Sequence, residues 1–356
     1  MLPTPKGQTF LTLLLAATLL NACSAPSIKP VNNAAMQDNL QSIKEKLVFN
    51  CTHEKDRIPP RDQEADQLYK HARWLRRGNT LKRDPSVYPK IERLIRIATA
   101  YGHDKANVEL RDLLDRGQAV SATPKTERVS LVEELIQRGV PGGYFDMGQF
   151  LRNGYGVKRD PDAGMQYIRK AADLGNPEAQ YWVGMQLSPL DKAPEIGRKM
   201  RLCAGEQGHK LAAQQVGVDF QTLGDYKSAV YALHLGAKAG SDIAAAGLEG
   251  GFKSENPSDR LYYMGLKADS ERSRRYELIG DFLSAYSYLN PSVPDIDEIV
   301  PLPPAKLPPW NGKFKWKEEF EANVPPPLPS EARINEMAKA KGLDPATGRP
   351  LAWGSK

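Results

Sequence analysis

The chain has 356 residues, of which 40% are hydrophobic and 26% are charged, so it can bury a core but exceeds the usual size of one compact domain. We therefore expect either two domains or an elongated array of repeats. The formal net charge is +6, and the basic residues are mixed with acidic ones and form no stripe with aromatic residues, which argues against nucleic acid as the partner.

The first 22 residues have the features of an export signal. One basic residue, Lys6, precedes an apolar run at residues 10–20 that is too short to cross a hydrocarbon core of about 30 Å as a helix. The run ends in Leu20-Asn21-Ala22-Cys23, which resembles the lipobox of bacterial lipoproteins, where cleavage precedes a cysteine that is then acylated. An ordinary cleaved signal or a buried cysteine is the alternative.

Cys23 is thus the expected lipid anchor. Ser24 follows it, and the resemblance to sorted lipoproteins implies an outer-membrane position facing the periplasm, since aspartate there would imply inner-membrane retention. Residues 23–50 contain little to bury and are predicted to form a flexible tether. Cys51 and Cys203 then remain together in an oxidising compartment, where a disulfide is possible and two buried thiols are the alternative.

Residues 51–290 are predicted to form a repeat array, clearest between 98 and 250. Five stretches begin with a restart glycine, place a small residue four positions later and an aliphatic residue eight positions later. Such spacing puts both on one helix face, and a glycine suits the left-handed residue that ends the preceding helix. Each unit is therefore a helix, a turn and a second helix. The five stretches are Gly102, Ala106, Leu110; Gly139, Gly143, Met147; Gly175, Ala179, Val183; Gly208, Ala212, Val216; and Gly240, Ala244, Leu248.

Within one unit the turn is predicted at residues 153–157, and the second helix starts at Asp160-Pro161, a capping side chain followed by proline. Its predicted inner stripe is Ala163, Tyr167, Ala171 and Leu174. A further hairpin is predicted upstream, on both sides of Pro89. Another is predicted downstream, between Pro257 and Tyr288. Stacked hairpins bury a continuous core that none could form alone.

These units resemble the Sel-1-like repeats, which are related to tetratricopeptide repeats. The resemblance is specific for residues 139–187, although Tyr167 stands where tryptophan is usual. It implies an all-α fold, a right-handed α-solenoid of helix-turn-helix repeats, and a protein-binding role. The residues that carry it are Gly143, Met147, Gly148, Gly154, Gly156, Val157, Asp160, Ala163, Tyr167, Lys170, Ala171, Ala172 and Gly175.

Residues 291–356 are predicted to form a proline-rich extension. Eleven prolines lie between Pro291 and Pro329, which favours polyproline II geometry, and a short helix at 331–341 follows Ser330. The extension is either an exposed ligand for a groove or a strap on the last repeats. We favour the strap, because four aromatic residues are costly to leave in water. They are Trp310, Phe314, Trp316 and Phe320.

No motif for metal-dependent, nucleophilic or phosphate-binding catalysis occurs in the sequence. Gly154-Tyr155-Gly156 is the nearest glycine motif, but Arg159 replaces its third glycine. His103 and His209 each follow a restart glycine, a position that the start of a helix explains without a ligand. The sequence therefore predicts no enzyme, no cofactor, no metal site and no small-molecule substrate.

The partner is expected to be another protein, bound on the concave surface made by the first helices, and the net positive charge favours an acidic protein or an anionic lipid surface. Four residues there lie off the core register: Tyr144, Phe145, Tyr181 and Gln214. Packing between repeats is the alternative role for them. Envelope lipoproteins that resemble Sel-1-like repeat proteins include immunity proteins that block type VI secreted phospholipases, so the resemblance implies this function. A structural scaffold for an envelope assembly is the alternative.

Overall fold

The structure is a computed structural model that describes residues 48–351, all within one compact unit. The predicted export signal, Cys23 and most of the tether lie outside the described residues. Fifteen α-helices and no strand occur in residues 48–351, which confirms the all-α fold class. None of these helices is long and apolar enough to cross a membrane. In chain order they are α1 (Gln63–Gly78), α2 (Tyr88–Ala100), α3 (Asp104–Asp115), α4 (Pro124–Gln137), α5 (Pro141–Asn153), α6 (Pro161–Asp173), α7 (Pro177–Leu187), α8 (Pro194–Glu206), α9 (Lys210–Thr222), α10 (Tyr226–Lys238), α11 (Asp242–Gly251), α12 (Ser270–Ala285), α13 (Ile296–Ile299), α14 (Lys315–Ala322) and α15 (Glu331–Ala340).

Helices α1 to α12 form six hairpins, and each hairpin packs on the next along the chain. This arrangement is the predicted solenoid of helix-turn-helix repeats. The first hairpin, α1 and α2, is the one predicted upstream of the five restart glycines. The other five begin directly after those glycines.

Four of the five junctions between successive hairpins share one construction, and the exception is the second junction, where Val140 makes no side-chain cap. Each restart glycine has a positive φ, between 74° and 104°, which ends the preceding helix. After Gly102, the N–H of His103 donates to the carbonyl of Ala98 (3.1 Å), and His103 Nδ1 accepts from the N–H of Ala106 (3.1 Å). Two consecutive residues therefore end one helix and cap the next. The same cap on the following helix is made by Asn176, His209 and Ser241.

The His103 cap predicts a pH-dependent stability. The ring is buried, which lowers the pKa of His103 although a hydrogen bond to Asp66 opposes the shift. Because the folded pKa lies below the unfolded value of about 6.5, this stabilisation is complete above that pH and is lost as the pH falls through the folded pKa. We expect His103→Asn, which keeps a capping side chain but cannot ionise, to lose less unfolding free energy between about pH 7.5 and about pH 5.

Denaturant unfolding at the two pH values measures this difference. Burial also lowers the pKa of His234, so the variant should flatten the pH dependence without abolishing it. If the free energy of unfolding falls by the same amount between the two pH values in the parent and in His103→Asn, another group is responsible for the pH dependence.

Small residues let adjacent hairpins approach closely. A Cβ added to Gly143 would lie 2.7 Å from the Cβ of Leu135 on α4, closer than side chains pack. The corresponding position in the other four units is fully buried alanine: Ala106, Ala179, Ala212 and Ala244. The aliphatic residues four positions further on are at most 8% exposed: Leu110, Met147, Val183, Val216 and Leu248.

The turn between α5 and α6 forms as predicted, but the buried face of α6 is shifted. Gly154 and Gly156 have positive φ, and Asp160 accepts from the N–H of Ala163 (3.0 Å). Ala163, Tyr167 and Leu174 are only half-buried, whereas Ala171 belongs to the buried face. Besides Ala171, that face contains the residues one position after Ala163, Tyr167 and Ala171, namely Gly164, Ile168 and Ala172.

The predicted hairpin between Pro257 and Tyr288 is wrong. This region contains one helix, α12, which pairs with α11 in the sixth hairpin. The residues before it form turns, in which Asp259 Oδ1 accepts from the N–H groups of Leu261 and Tyr262 (3.2 Å each). Side chains of this kind offer the backbone an alternative to helical hydrogen bonds.

The proline-rich segment begins as a strap over the last hairpin, as predicted. Phe314 is 7% exposed and stacks on Phe282 of α12, with ring centroids 4.4 Å apart. Trp310 and Trp316 pack against the same core, and Phe320 stacks on Trp316. Two helices within this segment, α13 and α14, were not predicted.

The chain then returns to the first hairpin and closes the array. Ile334 of α15 is fully buried in the core formed by α1, α2 and α3. Trp74 Nε1 donates to Asn323 Oδ1 (2.9 Å), and Arg333 forms an ion pair with Glu64 (2.7 Å). One strap therefore links the last hairpin to the first.

Candidate partner-binding surface

Exposed apolar side chains recur on the first helix of four of the six hairpins. They lie three, six or ten positions after a restart glycine, a spacing that places them on one helix face, away from the buried small and aliphatic positions. Single exposed apolar residues are ordinary, but one register repeated in four hairpins indicates a contact surface. We call it the first-helix stripe; its members are 37% to 61% exposed: Val108, Met185, Leu211, Val218 and Ile243.

One member of the stripe, Val108, lies at the mouth of a cavity between the first hairpin and the segment after α12. The cavity has a volume of about 900 Å³, and Asp112 of α3 and residues 288–290 also line it. Burial alone would raise the pKa of Asp112, but hydrogen bonds from Arg76 and Arg116 hold it below its usual value. This carboxylate is charged and paired, so it is suited to an electrostatic contact and poorly suited to proton transfer.

The four partner-binding residues predicted from the sequence are half-buried and contact other helices of the array. The ring centroid of Tyr144 lies 4.4 Å from Lys170 Nζ, and that of Tyr181 lies 4.5 Å from the His209 ring. Gln214 Oε1 accepts from Ser241 Oγ (2.7 Å), and Phe145 packs against the core around α6 to α8. Their packing role is visible, and their role in partner binding stays a prediction.

The first-helix stripe was not predicted, because the predicted surface was defined by aromatic residues and Gln214 and not by aliphatic ones. Phe145, Tyr181 and Gln214 are six positions after their restart glycines, in register with Val108. The signal in the sequence is the recurrence of aliphatic residues three and ten positions after the restart glycines.

The N-terminal segment, residues 48–57, crosses the middle of the array. A disulfide joins Cys51 to Cys203 near the end of α8, with the two Cα atoms 5.7 Å apart. Gln180 Nε2 donates to the carbonyl of Thr52 (2.9 Å). Of the two alternatives left open by the sequence, the structure contains the bridge and not two free thiols.

Comparisons with known proteins cover different parts of the chain. The model of a family described as a domain of unknown function, DUF6396, matches residues 244–351. These residues run from α11 through the strap to the end of the described chain, so the match covers the closure of the array. No curated protein matches the sequence.

Two solved structures from Pseudomonas aeruginosa match most of the chain. Immunity protein Pa5087 is 29% identical, with a TM-score of 0.54, and the match covers 72% of this chain and 95% of that protein. Immunity protein PA5088 is 28% identical, with a TM-score of 0.55, and the match covers 72% and 94%. A Sel1 repeat protein from Oxalobacter formigenes also matches at 18% identity and a TM-score of 0.43, over 61% of this chain and 87% of that one. The predicted resemblance to immunity proteins is confirmed.

Proposed function

We propose that this protein is a non-enzymatic immunity protein that binds a toxic effector and blocks it. The observation that carries the proposal is the likeness to two immunity proteins over nearly their whole length. The first-helix stripe supports it, because an inhibitor of this kind needs an extended contact surface and no catalytic group. We further propose that the effector is a type VI secreted phospholipase, as the sequence resemblance implies.

Deletion of the gene tests this function. Cells that lack the protein should be killed by siblings that secrete the effector, and the purified chain should inhibit that effector at a one-to-one ratio without turnover. If the effector is acidic, raising the salt concentration should slow association more than it weakens the final complex. Survival of the deletion strain among effector-producing siblings would favour the alternative, a scaffold for an envelope assembly.

The first-helix stripe predicts which substitutions abolish binding. Val218 and Ile243 are 47% and 61% exposed, so Val218→Glu with Ile243→Glu should leave the fold intact while placing two charges in an apolar contact. We expect affinity for the effector to fall at least about tenfold with an unchanged melting temperature. Leu190→Glu is the matched control, because Leu190 is 93% exposed but lies in a loop outside the stripe. Equal binding by the double variant and this control would exclude the stripe from the interface.

We also propose that the protein is a lipoprotein of the outer membrane, facing the periplasm and anchored through Cys23. Cys23→Ala should then remove the acylation site and release the protein, at least in part, into the soluble fraction. Metabolic labelling with a fatty acid and membrane fractionation measure the two effects. A variant that is still labelled and still fractionates entirely with membranes would contradict this anchor.

A further inference from the structure

Four groups that bind transition metals meet where the N-terminal segment crosses α8. Cys51 and His53 come from the segment, and Cys203 and Glu206 come from the last turn of α8. One ligand atom from each lies within 4.8 Å of all the others. Two thiolates, an imidazole and a carboxylate form a donor set that suits Zn²⁺.

The two separations around Glu206 are within a few tenths of an ångström of those in a zinc site. Tetrahedral zinc with bonds of about 2.0 to 2.3 Å requires its ligand atoms to be about 3.3 to 3.8 Å apart. Glu206 Oε2 lies 3.8 Å from Cys51 Sγ and 3.7 Å from His53 Nε2. The Tyr231 hydroxyl contacts the other carboxylate oxygen, Oε1, at 3.4 Å, which leaves Oε2 free to face a metal.

The donors should stay together when the disulfide is opened. The N–H of Glu54 donates to Gln207 Oε1 (2.8 Å), and Asn176 Nδ2 donates to Glu54 Oε1 (3.0 Å). Together with the bond from Gln180 to the segment, these contacts hold residues 52–54 against the array without the disulfide. Cys203 is buried, whereas Cys51 and Glu206 are exposed, so one side is open to a reductant and to an ion.

We propose that the reduced protein binds one Zn²⁺ through Cys51, His53, Cys203 and Glu206. A dithiol supplies two electrons and two protons to the disulfide, yielding two cysteine thiols and the oxidised dithiol. Zn²⁺ then displaces one proton from each thiol and binds the two thiolates. The same four residues thus hold either a disulfide or a metal ion, according to the redox state.

Cobalt titration of the full chain tests the site. The purified protein is reduced with dithiothreitol, freed of reductant without oxygen, and titrated with Co²⁺ and then Zn²⁺. We expect one Co²⁺ per chain, sulfur-to-cobalt charge-transfer absorption, and displacement by Zn²⁺, while the oxidised chain shows none of these. Cys203→Ser, which keeps only one thiolate, should bind Co²⁺ at least about tenfold more weakly and give a weaker charge-transfer band, and His53→Ala and Glu206→Gln should each weaken affinity at least about tenfold. Glu195→Gln, at an exposed position of the same helix, is the matched control and should bind like the parent.

Circular dichroism measures whether the reduced chain is still helical, which separates loss of the metal site from loss of the fold. A reduced chain that is helical but gives no charge-transfer band with Co²⁺ would overturn the proposal. Binding that is unchanged in both Cys203→Ser and His53→Ala would also overturn it. If reduction lowers the helical content, Zn²⁺ must restore that content in the parent and not in Cys203→Ser for the proposal to stand.

Discussion

Replacing Ile334 by aspartate is expected to destabilise the first hairpin by more than about 4 kcal/mol, although the two are far apart in the sequence. Ile334 is fully buried and packs in one core with α1, α2 and α3. The substitution removes apolar contacts and puts a carboxylate where no water can solvate it. Thermal unfolding measures the loss, and hydrogen exchange should show reduced protection at residues 63–100.

Ala332→Asp is the matched control for this prediction. Ala332 is exposed on the same helix, where an acidic residue in the first turn is favourable. It should leave the melting temperature within a few degrees of the parent's. Unchanged hydrogen exchange at residues 63–100 in Ile334→Asp would show that α15 does not complete the first core.

Replacing Ala179 by glutamate is expected to destabilise the middle of the array by several kcal/mol. Ala179 is fully buried in the core that also contains Ile168 and Met200, so the longer side chain must displace its neighbours and bury its charge. Denaturant unfolding measures the loss of unfolding free energy, and amide hydrogen exchange should become faster first at α6, α7 and α8.

Gln186→Glu is the control on the same helix. Gln186 is exposed, so an equal charge there should have a small effect. If Ala179→Glu and Gln186→Glu unfold at the same denaturant concentration, Ala179 does not occupy the buried position that the repeat pattern assigns to it.

The hairpins could be predicted because their signals are local. A restart glycine with positive φ and a capping residue directly after it determine a helix boundary within a few residues, without help from distant parts of the chain. Both ends of α15 show the same rule: Ser330 Oγ accepts from the N–H of Arg333 at its start, and Gly342, after its end, has a φ of 66°.

The contacts of the strap could not be predicted, because they are not local. A polyproline segment has no periodic pattern that indicates what it packs against, and α15 docks on helices more than 200 positions earlier. The contacts of the predicted partner-binding residues could not be predicted either. Tyr144 and Gln214 look available in the sequence, and only the neighbouring helices show that Lys170 and Ser241 contact them.

Closure of the array also affects the order of folding. Synthesis delivers α1 and α2 first, but their core lacks Ile334 until almost the whole chain has been made. Until then Leu68 and Ile95 have an incomplete cover, and bringing α15 back requires closing a very long loop. The N-terminal hairpin is thus the first to be formed and the last to be finished. An unfinished apolar surface of this kind is a site for aggregation or for a chaperone until α15 has docked.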